Sequence, residues 1–414
     1  MAANRPPAKL CTSLLSPGSR ICEIASPPAP NTMHRFGLFA NLITMRLRSL
    51  AGFITVIQIL LLAVHLFLYQ TWTYAWTAPS AAALTWWKLA TATLSISFVS
   101  ASLLGFRYSN AAVRVFYRIA AVWLGMVSFL FFAACLAWAV LGAGSLLGFS
   151  LNLHRVVEIC FAAAMALSLA AVVNASWTRV RRVGVRLENL PQTWLGRRAA
   201  LISDLHLGHV RNGRFLRRIA ALVMGQKPDA IFIAGDLYDG TAIDASGAAE
   251  PLRAMRAPLG TYFVAGNHEQ FGDDSTFLQA VSQAGVRVLS NEKVDVDGLQ
   301  LVGVPYRHAT HGTHFRSVLE SVGLHRDRAS ILLTHAPDRP EVAEQAGFSL
   351  QLSGHTHVGQ FYPWTWMARR IYRQFVHGLS RIGKMQVYTS SGAGTWGPPL
   401  RLGSNPEIVI LEFV

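Results

Sequence analysis

Cysteine is scarce in this 414-residue chain: there are four, Cys11, Cys22, Cys135 and Cys160. None lies beyond residue 160, so the second half has neither a disulfide frame nor a thiolate zinc site, and the scarcity points to a reducing compartment. Lysine is nearly missing, with five among 37 basic residues, and acidic residues number only 22, which leaves a net charge of +15. Charged residues make up 14% of the chain against 52% hydrophobic ones. A soluble nucleic-acid binder shares the cationic excess but does not carry long apolar runs, so the balance excludes that class and indicates a membrane protein. There is no internal repeat, and no cleavable signal peptide or twin-Arg signal. The length suffices for two or three domains.

Residues 1–33 are rich in Pro, Ala and Ser and lack periodicity. They read as disordered or as sequence upstream of a start at Met33 or Met45, so 1–45 is assigned to a disordered or cytoplasmic N-terminal segment. Four apolar segments follow, near 51–71, 89–106, 119–142 (continuing apolar to 151) and 156–175. Each approaches the roughly 20 residues that cross a bilayer. The alternative is a buried helical core, and four such runs in succession argue against it. Together they make a transmembrane domain of four helices over 46–176. Arg46, Arg48, Arg107, Arg114, Arg118, Arg179, Arg181, Arg182 and Arg186 flank the ends that share one side, whereas the other two loops are aromatic and nearly neutral, with Trp72, Trp76, Trp86 and Trp87 in one. By the positive-inside rule the N-terminus, the 107–118 loop and the C-terminal domain face the cytoplasm of an inner or plasma membrane protein. Residues 177–197 read as a basic linker, with Arg179–Arg186 against anionic headgroups.

From Arg198 short β-like runs alternate with helical ones. Strands are expected near 199–203, 229–234, 260–264, 286–290, 294–304 (a hairpin turning at Asp297-Gly298), 330–334, 349–352, 386–390 and 407–413. Helices are expected near 213–225, 247–256, 274–284, 314–322 and 338–345. The alternation gives an α/β domain over 198–414.

One event recurs in that domain: a buried strand stops, and the next turn carries Asp, Asn or His. LISDLHLG supplies Asp204 and His206, GDLYDG supplies Asp236 and Asp239, and GNHE supplies Asn267 and His268. His335 follows 331–334, and GHTH supplies His355 and His357. Such oxygen and imidazole donors suit two divalent metal ions held close together, with a shared carboxylate as the simplest bridge. Asp204, His206 and His357 would serve one ion, Asn267, His335 and His355 the other, and Asp236 both. Residues two apart on an extended segment point the same way, which would unite Asp204 with His206 and His355 with His357. Gly235, Gly266 and Gly354 let the chain turn beside the ligands without a Cβ clash.

DLH, GDLYDG, GNHE, the isolated His335 and GHTH together resemble the calcineurin-like metallophosphoesterases over about residues 198–414. GHTHVGQ at 354–360 and the C-terminal SSGAGTWGPPLRLGSNPEIVILEF are similar to a membrane-anchored branch reading GHTHxGQ, although many relatives have Gly where this chain has Val358. The resemblance implies a four-layer α/β/β/α sandwich behind the four-helix transmembrane region. It implies two metal ions that lower the pKa of a shared water to give a hydroxide nucleophile for in-line attack on phosphorus. His268 would stabilise the transition state or protonate the leaving group, with the Asp239 carboxylate orienting it and raising its pKa. The ligand types suit Mn first, with Fe, Zn, Co or Mg as alternatives.

Other histidines are assigned more blandly. His209 reads as a phosphate contact or a solvated loop residue, His308, His311 and His314 as an extended polar loop, with a lid or a third ion site as the alternative, and His377 has no role. The aromatic, basic FYPWTWMARRIYRQF (361–375) either lies on the bilayer or packs as a helix or hairpin, and Arg211, Arg214, Arg217 and Arg218 either steer anions or form a solvated helix face. The leading expectation is a membrane-anchored phosphoesterase acting on a phosphodiester or pyrophosphate, lipid-linked like a phospholipid or an acylated nucleotide sugar. A nuclease or cyclic-nucleotide phosphodiesterase is the alternative, and a non-catalytic membrane scaffold a third. Nucleic acid is not an expected partner, and no protein partner is indicated.

Overall fold

The computed structural model describes residues 32–76, 80–271 and 274–414, with side chains from residue 51 onward. The expected disorder of residues 1–31, with Cys11 and Cys22, lies outside the described residues. Residues 32–45 belong to a helix rather than to a disordered segment. Val56–Val414 form one compact unit.

Among the described residues four helices come first: α1 (Thr32–Ala75), α2 (Ala81–Arg107), α3 (Ala111–Leu146) and α4 (Leu153–Ser176). Each has a stretch long and apolar enough to cross a membrane: Ala51–Ala75, Ala81–Arg107, Ala111–Leu146 and Leu153–Ser176. These outrun the expected spans at nearly every end. Hydropathy marks only the apolar middle of a helix, whereas caps set its start. Here Ser80, Asn110 and Asn152 accept from the backbone N–H of Ala83, Val113 and Arg155. Ile59, Leu103, Ile119, Leu136, Ile159 and Leu169 point outward and are exposed, whereas the buried faces use Ala101, Ala121, Ala134, Ala137, Ala164 and Ala171. Large residues outside and small ones between helices is the arrangement that suits lipid.

The remainder runs β1 (Arg179–Val185), β2 (Arg198–Ile202), α5 (Gly213–Met224), β3 (Ala230–Ala234), α6 (Ala245–Ala249), β4 (Thr261–Val264), α7 (Ser275–Gln283), β5 (Arg287–Val288), β6 (Glu292–Val296), β7 (Leu299–Val304), α8 (Tyr306–Ala309), α9 (Gly312–Ser321), β8 (Ser330–Thr334), α10 (Pro340–Ala346), β9 (Leu350–Ser353), α11 (Trp364–Tyr372), β10 (Gly378–Ile382), β11 (Met385–Thr389) and β12 (Glu407–Phe413). Two six-stranded sheets form, ordered β1-β12-β2-β3-β4-β5 and β10-β11-β9-β8-β7-β6. Leu201, Phe232, Val264, Leu301, Leu333 and Val409 pack between them. The outer face of the first sheet is covered by α5–α7, including Leu216, Ile219 and Val281, and that of the second by α9 and α10, including Phe315 and Val342. The α/β/β/α layering is therefore the expected one. β2, β3 and β4 are parallel, as are β7, β8 and β9, so their carboxyl ends gather, which is where open α/β sheets bind ligands.

Segment 177–197, expected as a basic linker, is folded. β1 pairs in parallel with β12 along its length, Arg179 opposite Glu407 and Val185 opposite Phe413. Solvent-facing positions of an edge strand tolerate Arg, so the strand looks like a charge run in sequence. Trp194 is fully buried, donates from Nε1 to the Val296 carbonyl at 2.8 Å, and lies 4.9 Å from the Phe413 ring. Replacing it with Ala should destabilise the protein by about 3–5 kcal/mol. Urea unfolding of detergent-solubilised protein measures this, and a loss below about 1 kcal/mol would return the segment to linker status.

Candidate metal centre

Five strand ends build the site. β2 leads to Asp204 and His206, β3 to Asp236, β4 to Asn267 and His268, β8 to His335, and β9 to His355 and His357. Asp204, His206, Asp236, His355 and His357 all have φ between 47° and 72°. This left-handed region strains non-glycine residues by roughly 1–3 kcal/mol each and is held only where surroundings demand it. The Asp-x-His and His-x-His pairs are thus not extended, contrary to expectation, but Asp204, His206 and His357 still come together. Val358, buried with φ of 53°, continues the left-handed run, which explains why glycine suits that position. A Cβ on Gly266 would lie 2.1 Å from Asp236 Oδ1, and one on Gly354 2.3 Å from Asp204 Oδ2.

Three donor groups form, each with atoms within 4.8 Å: Asp204, His206 and His357; His206, Asp236 and His268; Asp236, His335 and His355. Asp236 belongs to two of them. Its Oδ2 lies 3.2 Å from His335 Nε2, 3.8 Å from His206 Nε2 and 3.9 Å from His268 Nε2. His206 Nε2 meets His357 Nε2 at 2.9 Å, and His335 Nε2 meets His355 Nδ1 and Asn267 Oδ1, both at 3.0 Å. His335 Nδ1 donates to the Ala234 carbonyl at 2.8 Å, which orients its Nε2 into the site.

Burial sets the protonation. It drives His206 and His357 well below the ordinary imidazole range and His355 down to about 3, so these rings are neutral at pH 7. Burial also pushes Asp204 up to about 6. Burial alone would lower His335 and raise Asp236, but their mutual attraction prevails, holding His335 at about 10 and Asp236 well below the carboxylate range. A single N–H on His335 Nε2 therefore faces three acceptors: Asp236, Asn267 and His355. Among the described residues His206 Nδ1 is buried without a partner. Carboxylates, an amide oxygen and unprotonated imidazoles crowded around too few protons fit divalent transition-metal ions.

Asp239 departs from expectation. Its backbone carbonyl, not its carboxylate, receives His268 Nδ1, at 2.9 Å. The carboxylate accepts from Thr241 N at 2.8 Å and Thr241 Oγ1 at 2.5 Å. His268 is held further by its own N–H on Asp236 Oδ1 at 2.9 Å, and its ring lies 4.4 Å from Phe271 and 5.7 Å from Trp396. His209 is buried and bonds the Gly105 carbonyl of α2 at 2.9 Å, so it is neither solvated nor a phosphate contact. His308 and His314 sit on α8 and α9 with rings 5.0 Å apart, and His377 bonds Glu407 at 3.1 Å.

Three residues escaped the sequence reading. Glu269, fully buried, accepts from Gly266 N at 2.7 Å, Asp236 N at 3.0 Å and Tyr238 N at 3.0 Å, locking two ligand loops together. Its place directly after Asn267-His268 was the available signal. Arg401, also fully buried, donates to the His357 carbonyl and to His357 Nδ1, both at 2.9 Å. Trp396 walls the site beside His268. Neither carries a sequence signal, because the contacts span 44 and 128 residues.

A family profile described as calcineurin-like phosphoesterase matches residues 197–359. An uncharacterized metallophosphoesterase of Campylobacter jejuni is 33% identical over 249 residues, 59% of this chain and 66% of that one. A transmembrane protein with metallophosphoesterase domain from Danio rerio is 34% identical over 260 residues, 58% of this chain and 59% of that one. An uncharacterized metallophosphoesterase of Aquifex aeolicus is 31% identical, covering 57% of this chain and 91% of that one. The chain thus spans 66% and 59% of the length of the first two relatives.

Glu269→Gln exchanges an oxygen that accepts buried N–H groups for a donor. It should cost about 1.5–3 kcal/mol of stability and lower bound metal per chain. Thermal unfolding and elemental analysis test both, and unchanged values in both would remove Glu269 from the site's framework.

Proposed function

Because this chain belongs to the calcineurin-like phosphoesterase family, we propose that it is a membrane-anchored dimetal hydrolase that cleaves a phosphodiester or pyrophosphate bond in a lipid-linked substrate. The observation that carries the reading is the meeting of seven donors from five separate strand ends around Asp236. Asp204, His206 and His357 would hold one ion, Asn267, His335 and His355 the other, and Asp236 would touch both. Manganese is our first choice for this mixed nitrogen and oxygen set. Bound there, the ions would neutralise phosphate charge and supply a hydroxide nucleophile near neutral pH.

His268 performs the proton chemistry. Its Nδ1 is committed to the Asp239 carbonyl, which leaves Nε2, 3.9 Å from Asp236 Oδ2, for a substrate bound at the ions. As imidazolium it donates to a phosphate oxygen and passes the proton to the leaving oxygen as the P–O bond breaks. Phe271 and Trp396 limit water at that ring.

The lipid-linked part rests on where the helices touch. His209 from the first ligand loop and Ala242 beyond the second both bond the Gly105 carbonyl of α2. Phe361, four residues after His357, packs 5.5 Å from Phe129 of α3. On α11 Trp364, Trp366, Met367 and Ile371 are exposed, with Arg369 and Arg370 on the same helix, the composition of a helix lying at a bilayer interface. The arginines flanking the spans support a cytoplasmic catalytic domain.

His268→Ala should retain metal and lose about 10²–10⁴-fold in kcat, read with a soluble aryl phosphodiester and elemental analysis. For substrate class, the Mn-loaded protein in detergent is offered phospholipids, lipid pyrophosphates, single-stranded nucleic acid and cyclic nucleotides. Turnover confined to the lipids is the expected outcome, and turnover of nucleic acid or cyclic nucleotides alone defeats the lipid reading.

A further inference from the structure

The C-terminal turn of α4 is tied to the two histidine loops of one metal position by the buried Arg401 and the half-buried Arg211. Arg211, five residues after His206, donates to the Ala175 carbonyl at 2.8 Å. Its own carbonyl accepts from Gly208 at 2.7 Å, which closes the loop back on the ligand segment. The last carbonyls of a helix lack intrahelical partners and favour cations, so Arg211 both caps α4 and fastens the His206 loop to it.

Arg401 makes the matching link to His357. Its backbone N donates to the Ala171 carbonyl at 2.9 Å, and its carbonyl accepts from Asn174 Nδ2 at 3.0 Å. Asn174 also donates to the Ser404 carbonyl at 3.0 Å. The preceding Leu400 fills the space at Gly125 of α3, where an added Cβ would lie 2.3 Å from Leu400 Cδ1. From this anchorage the guanidinium reaches inward to the His357 carbonyl and Nδ1, both at 2.9 Å, and to the Gly394 carbonyl at 2.6 Å. A guanidinium only donates, in a planar fork, so two bonds to one histidine fix the ring's tilt and not merely its distance. Among the described residues Asn267, His335 and His355 have no hydrogen bond to a membrane helix.

We propose that the end of α4, acting through Arg401 and Arg211, positions His357 and His206 and so sets the metal affinity of the position they share with Asp204, leaving the other position unaffected. This rests on the dimetal reading above. Arg401 is a positioning residue, and the membrane helix is part of the centre's framework rather than only its anchor.

The test uses full-length protein in detergent, titrated with Mn²⁺ by equilibrium dialysis and elemental analysis, with low-temperature electron paramagnetic resonance to separate a coupled pair from a lone ion. Wild type should bind two ions per chain. Asn174→Ala, which lies in α4 away from the ions, and Arg401→Gln should each weaken one position by roughly 10–100-fold, and should show a lone-ion spectrum at free Mn²⁺ that fills both sites in wild type. Arg401→Lys should fall between. Two ions bound by Asn174→Ala with wild-type affinity would overturn the brace alone, as would parallel loss of both ions. A wild type that never binds two ions would overturn the dimetal reading and the brace with it.

Discussion

The site is the seam between the two sheets, and the pair that closes it is Asp236 with His335. Asp236 follows β3 of the first sheet, His335 follows β8 of the second, and Asp236 Oδ2 stands 3.2 Å from His335 Nε2 with both side chains buried. His335 crosses the seam again through its bond to the Ala234 carbonyl. Removing either partner would leave a buried polar group without its counterpart, at a cost of about 1–3 kcal/mol. The sheets are therefore committed to a relative position that keeps the pair intact. Glu269 extends the commitment to backbone by binding three N–H groups from the β3 and β4 loops. Left-handed ligand positions are tolerable only within such a frame, since nothing local favours them.

The membrane helices are tied into the same frame. The first ligand loop grips α2 through His209 and α4 through Arg211, and Arg118 of α3 donates to the His209 carbonyl at 2.8 Å. Strand β1 begins three residues after α4 ends and takes the edge of the first sheet. That leaves no flexible segment between helix and sheet, so motion of the helices relative to the domain must strain strand pairing or ligand loops.

The chemistry was more legible than its scaffolding. Ligands betray themselves because Asp, Asn and His at the ends of apolar strands are unusual and because glycines beside them answer a steric demand, met here at Gly266 and Gly354. The backbone that presents them was not legible: spacing by two suggested extension, whereas the chain reaches the same convergence through left-handed turns. Strand β1 was hidden by its arginines and helix ends by their polar caps. Arg401, Glu269 and the true bond of Asp239 depend on which atoms meet across the fold, and residue type alone does not say whether a carboxylate or its own carbonyl will be used.

Helix length bears on why four helices serve where one would anchor. At 1.5 Å per residue, the 36 residues of α3 extend about 54 Å, against a hydrocarbon core of about 30 Å. Near its start the helix meets the first ligand loop, where Arg118 donates to the His209 carbonyl. Phe129 and Phe132, which meet Phe361 and Tyr362, lie 11 and 14 residues further on, roughly 16–21 Å along the axis toward the other face. The elbow after the last ligand motif therefore descends along α3 and starts α11 at a lower level than the first ligand loop. An isolated anchor supplies no shelf of this kind. The contacts of α2, α3 and α4 with the ligand loops do, and α11, with Trp364, Met367 and Ile371 uncovered, starts beside them.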